Sequence, residues 1–268
     1  MDWSRIKSIF LVTFLALNLF LAYQLISKIS GSNLDSSPES TIEEQLAANE
    51  ISYSPLPKQF SKESYISGER HHFSLEEVKE LNKSKFQVAE IQNENTLYSV
   101  LTKPIPLKTA SISQQMQEFV SQHIWNGQLY KYWGIDYDKR EIYFYQSFYD
   151  RQIYSNPNAM VVFYFDDKNQ VYGYKQTFLE DLSNIVPKAE RVEITSPIRA
   201  IELLYNRNVL EPGSNISKVE LGYYSLAPLP EGVQVIVPTW YIQVGKDKHY
   251  FVNAIEEQIF QEETQWSE

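Results

Sequence analysis

Residues 113–178, SQQMQEFVSQHIWNGQLYKYWGIDYDKREIYFYQSFYDRQIYSNPNAMVVFYFDDKNQVYGYKQTF, decide the fold. Met116, Phe119, Val120, His123 and Ile124 recur at helical spacing, which predicts a helix from about Ser113 to Trp125. The pattern then changes to runs rich in β-branched and aromatic residues: Tyr130–Tyr137, Glu141–Tyr149, Ala159–Phe165 and Val171–Phe178. Asp138-Lys139-Arg140 and Asp166-Asp167-Lys168-Asn169 are turn-forming breaks between them. One helix followed by an antiparallel meander is the unit this stretch encodes.

The same layout recurs downstream. Ser196-Pro197 supplies a cap and a first-turn proline for a helix to about Asn206, with Ile198, Ile201, Leu204 and Tyr205 apolar. Strands Ser217–Ser225, Val233–Val244 (interrupted by Pro238) and His249–Ile255 follow, the last two joined at Gly245-Lys246-Asp247-Lys248. Upstream lies a shortened version: Ser74–Asn82 opens with capping-box spacing and precedes strands Phe86–Gln92 and Thr96–Thr102. Tyr53–Gly68, with two prolines, reads as irregular. The expected class is therefore α+β, built from duplicated helix-then-antiparallel-meander units, and the missing βαβ alternation excludes a doubly wound nucleotide-binding sheet.

The N-terminus has a different character. Ile9–Ile26 is an 18-residue run without a charge, spanning ~27 Å as a helix and so matching a bilayer core. No small-residue cleavage pattern follows it, which predicts an uncleaved transmembrane helix over residues 9–29 rather than a cleaved signal peptide. Arg5 and Lys7 before the run, against Lys28 and then acidic residues after it, place the N-terminus in the cytoplasm and the C-terminal part outside. Asn18 is the polar residue in the middle, and Leu11, Phe14, Leu15, Leu21, Ala22 and Leu25 share its helical face. An amide in hydrocarbon gains from a partner across a helix interface, although a lone span also tolerates one asparagine. The expected divisions are a cytoplasmic tail (1–8), the span (9–29), a linker with a short helix at Thr41–Asn49 (30–52), a first α+β part (53–187) and a second (188–268).

Beyond the first thirty residues the chain holds 21 basic and 33 acidic residues, a formal charge of −12. No clustered basic face suggests nucleic acid or anionic lipid as a partner. With no cysteine, disulfides, thiolate catalysis and cysteine-based zinc sites are excluded. Four histidines limit acid–base chemistry: His71-His72 reads as a surface loop, His123 as a partly buried packing residue, and His249 as exposed. No nucleophile elbow, P-loop or dinucleotide fingerprint is present. Asp166-Asp167 and Glu180-Asp181 are the places for a glycosidase carboxylate pair, but such pairs are usually solvated loop charges. The runs Tyr143-Phe144-Tyr145, Phe148-Tyr149 and Tyr164-Phe165 fit alternating core and cover positions of strands better than a contact surface.

Met1-Asp2-Trp3-Ser4-Arg5-Ile6-Lys7-Ser8-Ile9-Phe10-Leu11, continued by Leu17-Asn18-Leu19-Phe20-Leu21-Ala22-Tyr23-Gln24, resembles the N-terminal signature of the YycI (WalI) family. Val237-Pro238-Thr239-Trp240-Tyr241-Ile242 with Tyr250-Phe251-Val252-Asn253-Ala254 is similar to its closing, PepSY-like hairpin. The resemblance implies a non-enzymatic, single-pass regulator of Gram-positive cell-wall homeostasis. It would act with a YycH-type protein and the WalK (YycG) sensor kinase of the WalK/WalR (YycG/YycF) two-component system. The span would contact partner helices and the ectodomain would pair with YycH, with no cofactor, metal or catalytic residue; a homo- or hetero-oligomer stays open. A membrane-anchored module that binds a peptide or cell-wall ligand is the alternative, and a wall hydrolase is disfavoured by the missing motifs.

Overall fold

The computed structural model describes residues 3–31, 41–58, 60, 62–108, 110–226, 232–246 and 248–261, and of residues 4–6, 9, 22, 23, 25–31 and 261 the backbone only. The chain forms two compact units, Met1–Gln45 and Leu46–Glu268. In the first, α1 (Trp3–Gly31) is one continuous helix of 29 residues. Helix α2 (Ile42–Ala48) starts in this unit, where the Glu44 N–H donates to Thr41 Oγ1 at 3.3 Å and the Thr41 N–H to Glu44 Oε2 at 2.9 Å. That reciprocal pair is the expected capping box.

The second unit is mostly strand. Along the chain come β1 (Ser52–Tyr53), β2 (Ile66–Arg70), α3 (Leu75–Asn82), β3 (Gln87–Asn93) and β4 (Thr96–Pro106). Next are α4 (Ile112–His123), β5 (Tyr130–Asp136), β6 (Glu141–Phe148), β7 (Arg151–Tyr154), β8 (Met160–Phe165), β9 (Gln170–Gln176) and β10 (Leu179–Asn184). Helix α5 (Pro197–Asn206), β11 (Asn215–Tyr224), β12 (Gln234–Val244), β13 (Lys248–Asn253) and β14 (Ile259–Gln261) complete it. The arrangement is α+β, as expected. Ser74 caps α3 in a full capping box with Glu77, and Ser196 accepts the Arg199 N–H at the start of α5, with Pro197 in its first turn.

The strands run in the order β10-β2-β12-β11-β7-β6-β8-β9-β4-β3, with β5 added to β6, β13 to β12, β14 to β13 and β1 to β11. Neighbours are antiparallel except β1 with β11 and β7 with β11, which are short parallel pairs. Gly222 in β11 permits the second of these, because a Cβ there would stand 2.3 Å from Cε2 of Tyr154 and 2.8 Å from the Gln152 carbonyl oxygen. Strand β2 corrects the expectation of an irregular Tyr53–Gly68. It sits between β10 and β12, so partners distant in sequence impose strand on residues whose own pattern does not alternate.

Helix α4 packs Ile112, Met116 and Val120 with Ile124 onto Leu97, Leu101, Phe144, Phe163 and Tyr174. Each of these side chains contributes roughly 1.5–3 kcal/mol by leaving water. On the opposite face of β6, Tyr145 joins Tyr154, Tyr241 and Phe251, with Trp133, Tyr224 and Phe260 against them.

Side-chain amides cover several strand edges and ends. Asn82 accepts the Ala89 N–H at 2.7 Å and donates to its carbonyl at 3.0 Å. Gln117 accepts from Tyr132 N–H and donates to the Tyr130 carbonyl, both at 2.8 Å. Gln146 makes the same pair of 2.8 Å bonds to Leu179, and Gln115 joins Lys108 N–H and the Pro106 carbonyl at 2.9 Å each. Each amide stands where a further strand's peptide group would pair.

Candidate functional site

The sequence places the contact face on α1. Leu11, Phe14, Leu15 and Leu21 are described, and all four are more than half exposed; Ala22 and Leu25 lie outside the residues whose side chains are described. So are Val12, Leu17, Leu19 and Phe20 on the other sides, and a helix apolar all round has no face suited to water. Asn18 Nδ2 donates to the Phe14 carbonyl at 2.8 Å, one turn back. One of the two N–H donors of its amide is therefore satisfied inside its own helix, which reduces the need for a partner that its position suggests. Among the described residues no helix is long and apolar enough to cross a membrane. Apart from Trp3, the described apolar side chains of α1 run from Phe10 to Leu21, and Ile9, Ala22, Tyr23, Leu25 and Ile26 fall outside them.

In the second unit the most constrained polar group is His71, and here the expected surface loop is corrected. Just after β2, its Nδ1 lies 2.6 Å from Glu180 Oε2 and its Nε2 3.1 Å from Glu77 Oε1. The ring stacks on Trp125 at 4.6 Å and meets Phe73 edge-on at 4.9 Å. Its side chain is 13% exposed, against 67% for His72. Burial works to raise the Glu77 carboxyl, but hydrogen bonds from the Ser74 N–H and hydroxyl, together with His71, hold it below the ordinary glutamate value. The two carboxylates address opposite ring nitrogens, so they do not share an ion, and among the described residues no group of three His, Asp or Glu is placed to hold a metal. The cluster ties α3, β2 and β10 together.

Neither adjacent acidic pair converges on a common point. Asp166 Oδ1 accepts the N–H groups of Lys168 and Gln170 in a turn, and Asp167 is exposed. Glu180 faces His71 while Asp181 is exposed. His123 is half-buried beside Phe86 and Phe119, as expected. His249 is not exposed: it is half-buried, with Nδ1 2.8 Å from the Tyr241 hydroxyl and its ring near Trp133.

Sequence reasoning missed a cavity of about 550 Å3 beside β5, lined by Trp133, Tyr241 and His249 together with Lys218, Gln243 and Lys246. Its wall is drawn from five separate stretches of chain, so no local motif announces it.

No curated protein matches the chain. Among solved structures, an uncharacterized protein from Eubacterium rectale aligns with TM-score 0.43 at 9% identity, over 80% of this chain and 91% of that one. The C-terminal domain of Bacillus megaterium YpeB aligns with TM-score 0.40 at 12% identity, over 72% of this chain and 100% of that one. The family model described as "YycI protein" matches residues 29–255. With most of its length matched, the chain belongs to the YycI family, and thereby to the regulators of the WalK/WalR two-component system.

Proposed function

We propose that the chain is a non-enzymatic, single-pass membrane regulator that acts on the WalK (YycG) kinase together with a YycH-type partner. The span is Ile9–Ile26, the N-terminus is cytoplasmic, and the strand-rich unit is extracytoplasmic. That unit comprises two helix-then-meander parts, 53–187, which holds the shortened α3 version and the α4 version, and 188–268, opened by α5. The observation that carries this reading is α1: an unbroken helix whose described apolar side chains stand exposed on every side. The uncharged run in the sequence and the Lys/Arg excess ahead of it support the span and its direction.

A helix beside a kinase span shifts a two-state signalling equilibrium only through contacts that differ between the two states. The contact face is Leu11, Phe14, Leu15, Asn18, Leu21, Ala22 and Leu25. An interhelical amide contributes ~0.6–2 kcal/mol, and with one of its two N–H donors already on Phe14 Asn18 belongs at the low end. Asn18→Leu is expected to weaken co-purification with the kinase from native membranes by about threefold. Exchanging the whole span for an unrelated anchor is expected to abolish regulation of kinase output. Full regulation with a foreign span overturns the proposal and leaves the extracytoplasmic unit as the sole contact.

A further inference from the structure

The cavity beside β5 has the composition of a binding site for a charged ring. Trp133 forms one wall and is fixed there, its ring centroid 5.1 Å from Tyr241 and 5.3 Å from both Tyr145 and Tyr154. Lys218 reaches over Tyr241 with Nζ 5.8 Å from the ring centroid, and Lys246 stands exposed at the β12–β13 turn. In a chain of net charge −10, the described lining contains two lysines and no carboxylate. The nearest acid on the same strand is Glu220, paired with Lys218 at 2.9 Å.

The opening of α4 adds to this polarity. Ser111 and Ser113 line the cavity, Ser111 makes no side-chain cap, and the first turn carries no acidic residue. The backbone N–H groups of that turn and the positive end of the helix thus reinforce the lysines.

The adjoining edge of β5 decides what kind of ligand fits. Gln117 holds Tyr130 and Tyr132, and Gln152 donates to the Lys131 and Tyr132 carbonyls at 3.3 and 3.4 Å. A peptide cannot extend the sheet along that stretch, so recognition falls to ring faces, amides and cations.

We propose that this cavity binds an acidic saccharide. The apolar face of a pyranose lies against Trp133, the side-chain carbonyl of Gln152, whose Nε2 is already used on β5, accepts from a ring hydroxyl, and a carboxylate faces Lys246, Lys218 and the start of α4. The volume of about 550 Å3 accommodates two to three sugar rings. This inference does not rest on the helix contacts proposed above, because its residues all lie in the strand-rich unit.

The test is calorimetric titration of the full chain in detergent micelles with tri-galacturonic acid, galactotriose and hexa-glutamate. Tri-galacturonic acid is expected to bind, with galactotriose and hexa-glutamate each at least tenfold weaker. Lys246→Glu, at an exposed position where folding is not at risk, is expected to weaken tri-galacturonic acid at least tenfold. Equal binding of galactotriose removes the role of charge, and equal binding of hexa-glutamate removes the role of the sugar; either overturns the proposal. So does failure of tri-galacturonic acid to bind, or binding that Lys246→Glu leaves unchanged.

Discussion

In α1, Phe10, Leu11, Val12, Phe14 and Leu15 all stand more than half exposed, whereas in β6 every residue from Ile142 to Ser147 is buried. The strand-rich unit satisfies its own apolar surface on both faces of that strand and meets several peptide groups at strand edges and ends with its own side-chain amides. Helix α1 satisfies its backbone and leaves its side chains for another apolar phase. On the function proposed above, one unit is held by its own core and the other is completed by lipid or a partner helix.

The largest expected effect that could break this contrast lies in α1. Leu15→Arg places a charge near the middle of the apolar run, at a cost of about 2.5–3.5 kcal/mol for a spanning helix. Fractionation of the full chain should then show it lost from the membrane pellet. Retention at the original level would mean that α1 is held by protein contacts instead.

In the strand-rich unit the corresponding test is Gln146→Leu. It leaves the buried N–H and carbonyl of Leu179 without the two bonds Gln146 supplies, and each unmet group costs about 1–3 kcal/mol. Urea unfolding should show a loss of about 2 kcal/mol or more. A loss below about 0.5 kcal/mol would mean that this end of the sheet needs no closing amide.

The smallest effect concerns Glu77. Its folded-state acidity is increased, since the Ser74 bonds and His71 outweigh burial; its stabilising contribution is therefore present above the ordinary value of 4.5 and is lost as pH falls through the lower folded value. Glu77→Gln keeps the capping geometry and is expected to cost less than about 1 kcal/mol at neutral pH. Thermal unfolding as a function of pH should show a flatter acid limb in the variant. An unchanged limb would place the acid sensitivity in other carboxylates.

The elements that could be read from the sequence are those with local causes. Ser74 to Glu77 and Ser196-Pro197 start helices through bonds within one turn, and β6, β8 and β9 follow runs of β-branched and aromatic residues. Strands β2, β7 and β10 escaped because Gly68-Glu69-Arg70, Arg151-Gln152 and Glu180-Asp181 carry no alternating apolar signal; β2 and β10 flank one another, and β2 is set against β12 from the far end of the chain. His71 was misread for a related reason, since Glu180 lies 109 positions away. The α1 face is legible as a spacing pattern, but which of its residues meet a partner depends on molecules outside this chain.

The side-chain amides at the strand ends carry one more implication. Lysines and carboxylates that guard a sheet lose their effect when salt screens them or pH neutralises them. Asn82, Gln115 and Gln117 neither titrate nor respond to ionic strength. At those points the sheet's resistance to unwanted strand pairing is therefore constant across acid, alkaline and high-salt surroundings, in a chain with no cysteine to hold it shut by a covalent bond.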